Sequence, residues 1–197
     1  MKKPAIAIIV LAASVLAFSA CGGAGTPGDR SADEWEHIEY LDIEFDMMPS
    51  WGGVPSESSL VYSLDSDTGR ISVYQAPNVS LGFDRPIDLD EYVQDYLSAF
   101  IPRLEDEQFV QSFYSWIFPP SESEGLAYEQ ISAKEIILNE LPCYELEYIL
   151  KRNESLSINV KELFVKKYTT DVFFWIYDFT FTQVKADIYD RIKNSIQ

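Results

Sequence analysis

Few side chains in this sequence are suited to covalent or acid–base chemistry. The chain has one histidine, His37, and two cysteines, Cys21 and Cys143, against 32 aspartates and glutamates. A serine or cysteine nucleophile of the Ser-His-Asp or Cys-His type needs a histidine as its base. The one histidine, His37, adjoins a Gly-rich linker segment, so we predict no such catalytic group around it. The sequence also lacks the P-loop, GxGxxG, HExxH and SxxK motifs. We therefore predict that the protein is not an enzyme and has no catalytic residues.

Paired carboxylates are the one catalytic arrangement that the composition leaves open. Glycosidases use two acids about 5–9.5 Å apart in one cleft. The alternative function is therefore a carboxylate-based hydrolase that acts on cell-wall glycans. With 32 acidic residues some close pairs arise by chance, so the sequence singles out no pair.

No metal or cofactor site is predicted. The segment Asp65–Gly69 has the acid spacing of a calcium loop, but an EF-hand-type loop needs Gly at its sixth position and Glu at its twelfth. Those positions hold Arg70 and Ala76, and the segment suits a hairpin turn better. Cys143 lies in an alternating strand without a thiolate partner, so we predict a small buried side chain there.

Cys21 has the best-defined chemistry in the chain. Two lysines precede an apolar stretch, Pro4–Ala20, which is shorter than the ~20 residues of a membrane-spanning helix and is typical of a secretory signal. The segment Leu16–Cys21 resembles the bacterial lipobox, with Phe18 where an aliphatic residue is usual. The resemblance implies that residues 1–20 are a lipoprotein signal peptide and that Cys21 carries the lipid. The alternative is an ordinary cleaved signal that leaves Cys21 as a free thiol.

The predicted mature chain is a lipid-anchored, extracytoplasmic protein on the outer face of the cell membrane. Residues 21–37 form the lipidated cysteine and a flexible linker, and residues 38–197 form one globular domain. A hydrophobic content of 47% excludes disorder of that domain. The net charge of −17 excludes nucleic acid and anionic membrane surfaces as partners, but is compatible with cationic ones. We expect a monomer.

Hydrophobic periodicity predicts strands on both sides of an amphipathic helix. Asp88 is placed to cap a helix over Leu89–Phe100, and a second helix, Val184–Ile196, closes the chain. The predicted strands are Leu41–Asp46, Ser59–Leu64, Gly69–Ala76, Gln108–Phe118, Lys134–Leu138, Cys143–Leu150, Ile158–Lys167 and Val172–Thr182. This order predicts an α+β fold, an antiparallel sheet of about six to eight strands flanked by helices in an αβα sandwich.

Three segments resemble the Mog1/PsbP-like family, which includes the LpqN-like lipoproteins. Phe45–Trp51 is similar to the opening F-P-W pattern of these domains, Leu141–Tyr148 to their proline-containing hairpin, and Ala186–Ile196 to their terminal helix. The resemblance implies the same sandwich and a binding or assembly module, because the matching residues shape turns and core contacts and perform no chemistry.

The resulting hypothesis is a non-catalytic domain that binds a protein or a small ligand at the cell surface. Aromatic side chains often dominate binding energetics. Trp51 precedes Gly52 and Gly53, and Trp116 precedes a Pro-Pro pair. Both tryptophans are therefore predicted ligand contacts, with a place in the core as the alternative for each.

Overall fold

A seven-stranded antiparallel sheet separates two hydrophobic cores. The computed structural model describes residues 35–48, 51–55, 59–63, 69–77, 88–115, 118, 125–168 and 174–197. Cys21, Trp116 and most of the predicted turn Asp65–Gly69 lie outside the described residues.

The elements follow one another as strands, helices, strands and a closing helix. They are β1 (Glu36–Tyr40), β2 (Ile43–Met47), β3 (Gly52–Pro55), β4 (Ser59–Ser63), β5 (Arg70–Pro77), α1 (Leu89–Phe100), a 3-10 turn (Ile101–Glu105), α2 (Glu107–Tyr114), β6 (Ala127–Leu138), β7 (Leu141–Asn153), β8 (Leu156–Tyr168), β9 (Phe174–Thr182) and α3 (Ala186–Ser195). β1 and β2 form a separate hairpin, and the other strands form the sheet in the order β3-β4-β5-β9-β8-β7-β6. The predicted α+β class and strand number are confirmed.

α1 has the bounds that its cap and stripe predict. The Asp88 carboxylate accepts a hydrogen bond from the Asp90 amide at 3.2 Å, and acids fill the first turn, where they favour the helix dipole. Val93, Leu97 and Phe100 are buried against the sheet. The apolar stripe is therefore a core surface, as predicted.

The strand predicted over Gln108–Phe118 is wrong, because α2 occupies most of that segment. The Asp106 carboxylate accepts hydrogen bonds from the amides of Gln108 and Phe109 at 2.9 and 3.4 Å, which caps the helix. Phe109 and Phe113 then lie one turn apart with their rings in contact. Aromatic β propensity is a weak preference, and a capped helix with this spacing overrides it.

The second core lies between the opposite face of the sheet, the β1–β2 hairpin and α3. Tyr189, Ile192 and Ile196 are buried there, as the four-residue spacing of the last helix predicts. Reciprocal backbone bonds between Glu44 and Gln197 fix the hairpin to the end of the chain.

β1 and β3 are elements that the sequence pattern does not predict. β1 alternates between half-buried and exposed residues, and it includes His37, which lies 3.1 Å from the Glu44 carboxylate. β3 is a short outer strand that contains Gly52 and Gly53, residues typical of a break.

Among the described residues, no helix combines the length and apolar character that crossing a bilayer requires.

The packing of α1 predicts a large effect of truncating Leu97. Leu97→Ala should lower the free energy of unfolding by about 2–5 kcal/mol, because it leaves a cavity under the helix. Ile101→Ala, one turn later and partly exposed, is the control and should cost about 0.5 kcal/mol or less. Urea unfolding measures both. A Leu97→Ala cost no larger than that of the control would show that α1 does not pack on the sheet.

Candidate functional site

Trp51, the predicted ligand contact within the described residues, is a core side chain. It is 3% exposed and packs in the core on the α3 side of the sheet. Its indole Nε1 has no hydrogen-bond partner within the described part of the chain. A ligand in solution therefore does not reach this ring in the present conformation. Trp116 and Cys21 lie outside the described residues.

A groove of about 640 Å³ opens at one corner of the sheet. It lies where α1 begins and where β6, β7 and β8 extend past the helix. The side chains that matter for its chemistry are Asp88, Leu89, Glu135, Ile137, Pro142, Lys166 and Tyr168. The groove is open to solvent and is not an enclosed cavity.

The register of the sheet explains why these side chains meet. Ile137 pairs with Pro142 across β6 and β7. The next pair, Cys143 with Val165, places Pro142 beside Lys166 of β8. Because side chains alternate between faces, Ile137, Pro142 and Lys166 form one row on the α1 side.

Two of these side chains leave large apolar surfaces in water. Ile137 is 76% exposed and Tyr168 is 50% exposed. Lys166 is buried, with its ammonium 4.3 Å from the ring centroid of Phe174 and 5.0 Å from that of Tyr168. Asp88 and Glu135 are exposed and bring negative charge to the groove. The groove therefore presents apolar surface together with two exposed carboxylates and the buried Lys166 ammonium.

A second polar cluster is buried beneath α1. Glu162 of β8 is 2% exposed. Its Oε1 accepts hydrogen bonds from the hydroxyls of Tyr96 on α1, at 3.0 Å, and Tyr148 on β7, at 2.9 Å. Glu162 pairs with Thr180 of β9. Asp178 lies two residues before Thr180 on β9, so its side chain is on the same face of the sheet as Glu162. The Thr180 hydroxyl donates to Asp178 at 3.3 Å.

Both carboxyls of this cluster hold their protons unusually tightly. Burial raises the pKa of Glu162 well above its ordinary value, and the nearby charge of Asp178 raises it further, against the bonds from Tyr148 and Tyr96. Loss of water raises the pKa of Asp178 to about 7, against the bond from Thr180. Glu162 is therefore harder to ionise than a carboxyl group in water. Glu162 Oε2 has no hydrogen-bond partner among the described residues.

Glu145 on the opposite face shows the contrasting case. Its carboxylate bonds Lys193 and Lys134 at 3.0 Å each and accepts the Tyr189 hydroxyl bond at 2.8 Å. Burial alone would raise the pKa of Glu145, but the bonds from Lys193, Tyr189 and Lys134 outweigh it and lower the pKa to about 2. The pKa values of two buried glutamates in one sheet are therefore shifted in opposite directions, because Glu145 bonds two lysines whereas Glu162 bonds two tyrosine hydroxyls.

Cys143 is a buried side chain, as predicted. Its thiol donates to the Leu141 carbonyl at 3.4 Å, and burial raises its pKa to about 12. The thiolate is therefore scarce at neutral pH, and the residue is inert. Across the described residues, no group of three or more His, Cys, Asp or Glu side chains is arranged to hold a metal ion.

Neither the exposed groove nor the buried acid pair is predicted from the sequence. A signal for the acid pair exists in β8, where Glu162 takes the place of an apolar residue in the series Ile158, Val160 and Phe164. A charged residue at a core position is worth attention. No comparable signal marks Ile137, because its exposure depends on where α1 begins.

Comparison with known proteins identifies the fold. No protein-family model matches the chain, and no curated protein matches it in sequence. The solution structure of cyanobacterial PsbP (CyanoP) from Synechocystis sp. PCC 6803 is similar, with a TM-score of 0.56 and 15% identity over 90% of this chain and 96% of that one. LpqN, described as involved in cell envelope biogenesis of Mycobacterium tuberculosis, gives a TM-score of 0.51 and 11% identity over 83% of this chain and 90% of that one. The predicted PsbP-like sandwich is confirmed at the level of the fold.

The two kinds of buried carboxyl predict opposite effects of pH on stability. A raised pKa in the folded state means that Asp178 favours folding below about pH 4 and that this stability is lost as the pH rises to about 7. Asp178→Asn should therefore reduce the loss of unfolding free energy between pH 4 and pH 8 by roughly 1–3 kcal/mol.

Glu145→Gln is the matched comparison. The lowered pKa of Glu145 contributes stability above its ordinary pKa, and this stability is lost as the pH falls towards 2. Glu145→Gln should therefore change how the free energy of unfolding varies with pH in acid, and should leave its variation near neutral pH unchanged. Urea unfolding at several pH values measures both. An Asp178→Asn profile parallel to that of the wild type from pH 4 to pH 8 would contradict the assignment.

Proposed function

We propose that this chain is a membrane-tethered, non-catalytic binding domain whose groove takes a segment of a partner protein outside the cell. The observation that carries the proposal is the groove itself, of about 640 Å³, where Ile137 and Tyr168 expose apolar surface. Apolar side chains that are exposed together at a concave surface are typical of interaction sites.

The partner segment is expected to combine apolar and basic side chains. The apolar groups fit the exposed surfaces of Ile137 and Tyr168. A basic group fits the carboxylates of Glu135 and Asp88 and the net charge of −17, because complementary charge speeds association and disfavours wrong partners. The same charge disfavours nucleic acid.

The tether rests on the N-terminal sequence. A signal peptide over residues 1–20 would place the domain outside the cytoplasm, and lipid on Cys21 would hold it at the membrane through the linker 21–37. A diacyl anchor is stable, whereas a single acyl chain holds a protein only marginally. LpqN, which has a similar fold, is described as involved in cell envelope biogenesis, which supports an envelope location here.

The positions of the acids favour binding over hydrolysis. Glu162 is closed off by Tyr96 and Tyr148, so a glycan in solution does not reach it. Asp88 and Glu135 line the groove but are exposed to solvent, whereas the general acid of a glycosidase needs apolar surroundings that raise its pKa. We therefore propose a domain without catalytic residues.

Lipidation is tested directly at Cys21. Cys21→Ser should abolish lipidation, because the thioether can form only on a cysteine sulfur. Cys143→Ala is the control and should keep the lipid, since Cys143 is buried in the folded domain. Mass spectrometry of the membrane and soluble fractions measures both. An unmodified Cys21 in the wild-type protein would contradict the tether.

Groove binding is tested with a matched pair of isoleucines on β6. Ile137 and Ile131 are both exposed, at 76% and 51%, but only Ile137 lines the groove. A displayed library of random peptides selected on the wild-type chain should enrich sequences that mix apolar and basic residues. Ile137→Asp should weaken the selected peptides about tenfold or more, since it puts charge on the apolar contact.

Ile131→Asp should leave that affinity within about twofold of wild type, a difference of about 0.4 kcal/mol. Fluorescence anisotropy with labelled peptides measures the two variants. Equal effects of both substitutions, or no enrichment of any peptide, would show that the groove is not the binding site.

A further inference from the structure

The outer edge of β6 has no partner strand among the described residues. β6 ends the sheet order, with β7 on one side. The two residues that connect it to β7, Asn139 and Glu140, both have positive φ, of 45° and 69°, so the connection is a type I′ turn. Such a turn closes on a hydrogen-bonded pair, here Leu138 with Leu141.

The alternation of an antiparallel ladder then fixes which backbone groups face outwards. Leu138 and Ile136 direct their amides and carbonyls to β7, and the residues between them direct theirs away from it. The outward set is Ala133, Glu135 and Ile137, paired without hydrogen bonds to Leu146, Tyr144 and Pro142. Pro142 fits this pattern, because a residue in a pair without hydrogen bonds donates no N–H to β6 and proline has none to donate.

No backbone hydrogen bond satisfies these outward groups within the described part of the chain. The register of β6 slips between Gln130 and Ser132, so the regular edge runs from 132 to 138. A lysine on an edge strand commonly blocks pairing. Lys134 is turned to the α3 side and held by Glu145 at 3.0 Å, so it leaves the groove side open.

We propose that the partner segment of the proposed function binds as an eighth, antiparallel strand along residues 132–138 of β6. Its backbone pairs with Ala133, Glu135 and Ile137, and its alternate side chains enter the groove. The residue opposite Glu135 is basic and the residue opposite Ile137 is apolar, because directly opposed side chains interact most strongly on one face. This inference rests on the proposed function and names the binding mode of the same groove.

Charge argues for a different protein rather than a second copy as the occupant. Two β6 strands paired antiparallel about their common centre would place the Glu135 carboxylates directly opposite each other. Like charges in that position are destabilising. A basic segment of another protein meets no such repulsion on a chain with a net charge of −17.

The probe is an acetylated and amidated heptapeptide, TVTRTVT, which places arginine opposite Glu135 and valines opposite Ile137 and Ala133. We expect the purified full chain in mild detergent to bind it in fluorescence anisotropy. N-methylation of the central arginine removes a backbone donor that faces β6 and should weaken binding about tenfold. N-methylation of a neighbouring threonine, whose N–H faces away, is the control and should change affinity by no more than about twofold.

The side-chain pattern is tested with TVTETVT and the variant Glu135→Lys. Either charge reversal alone should weaken binding, and together they should restore it. Equal effects of the two N-methylations would overturn strand addition while leaving groove binding in place, provided that Ile137→Asp still weakens the peptide. Failure of TVTRTVT to bind while library-selected peptides do would likewise overturn this inference alone. A dimer that forms through β6 and excludes the peptide would also overturn it.

Discussion

One buried carboxyl joins the helical layer to the sheet. Glu162 accepts the hydroxyl bonds of Tyr96 from α1 and Tyr148 from β7, so a single oxygen joins the helix to two strands. A charge at this depth is costly, so burial raises the pKa of Glu162. The rings of Tyr92 and Tyr96 pack on Phe164 around it. α1 is thus fixed above β7 and β8 by polar and aromatic contacts together.

The groove follows from that placement. α1 begins at Leu89, whereas β6, β7 and β8 continue past the start of the helix. This corner exposes Ile137 and Tyr168 and lies beside β6, which has no outer partner strand among the described residues. Glu145 completes the arrangement from the other face, because it holds Lys134 away from the groove. The two buried glutamates, Glu162 and Glu145, therefore organise contacts on opposite faces of the sheet.

The elements that the sequence predicts are those whose formation depends on interactions between residues close together in the chain. The cap at Asp88 and the stripe that follows it predict α1 to the residue, and alternation predicts the long strands β7, β8 and β9. α2 escapes prediction because its aromatic residues favour strands while the deciding contact is the cap at Asp106. Trp51 has the sequence context of a surface aromatic, but its burial depends on packing against distant strands. Exposure of Ile137 is likewise a property of the assembled layers.

The most direct test of the account is amide hydrogen exchange at the β6 edge, measured by NMR with and without the TVTRTVT peptide. In the free chain the outward amides of Glu135 and Ile137 should exchange quickly, while that of Ile136, bonded to β7, is protected. At saturation with peptide, the Glu135 and Ile137 amides should become protected and that of Ile136 should change little. Outward amides that are already protected in the free chain, or that stay unprotected at saturation, would contradict binding at this edge.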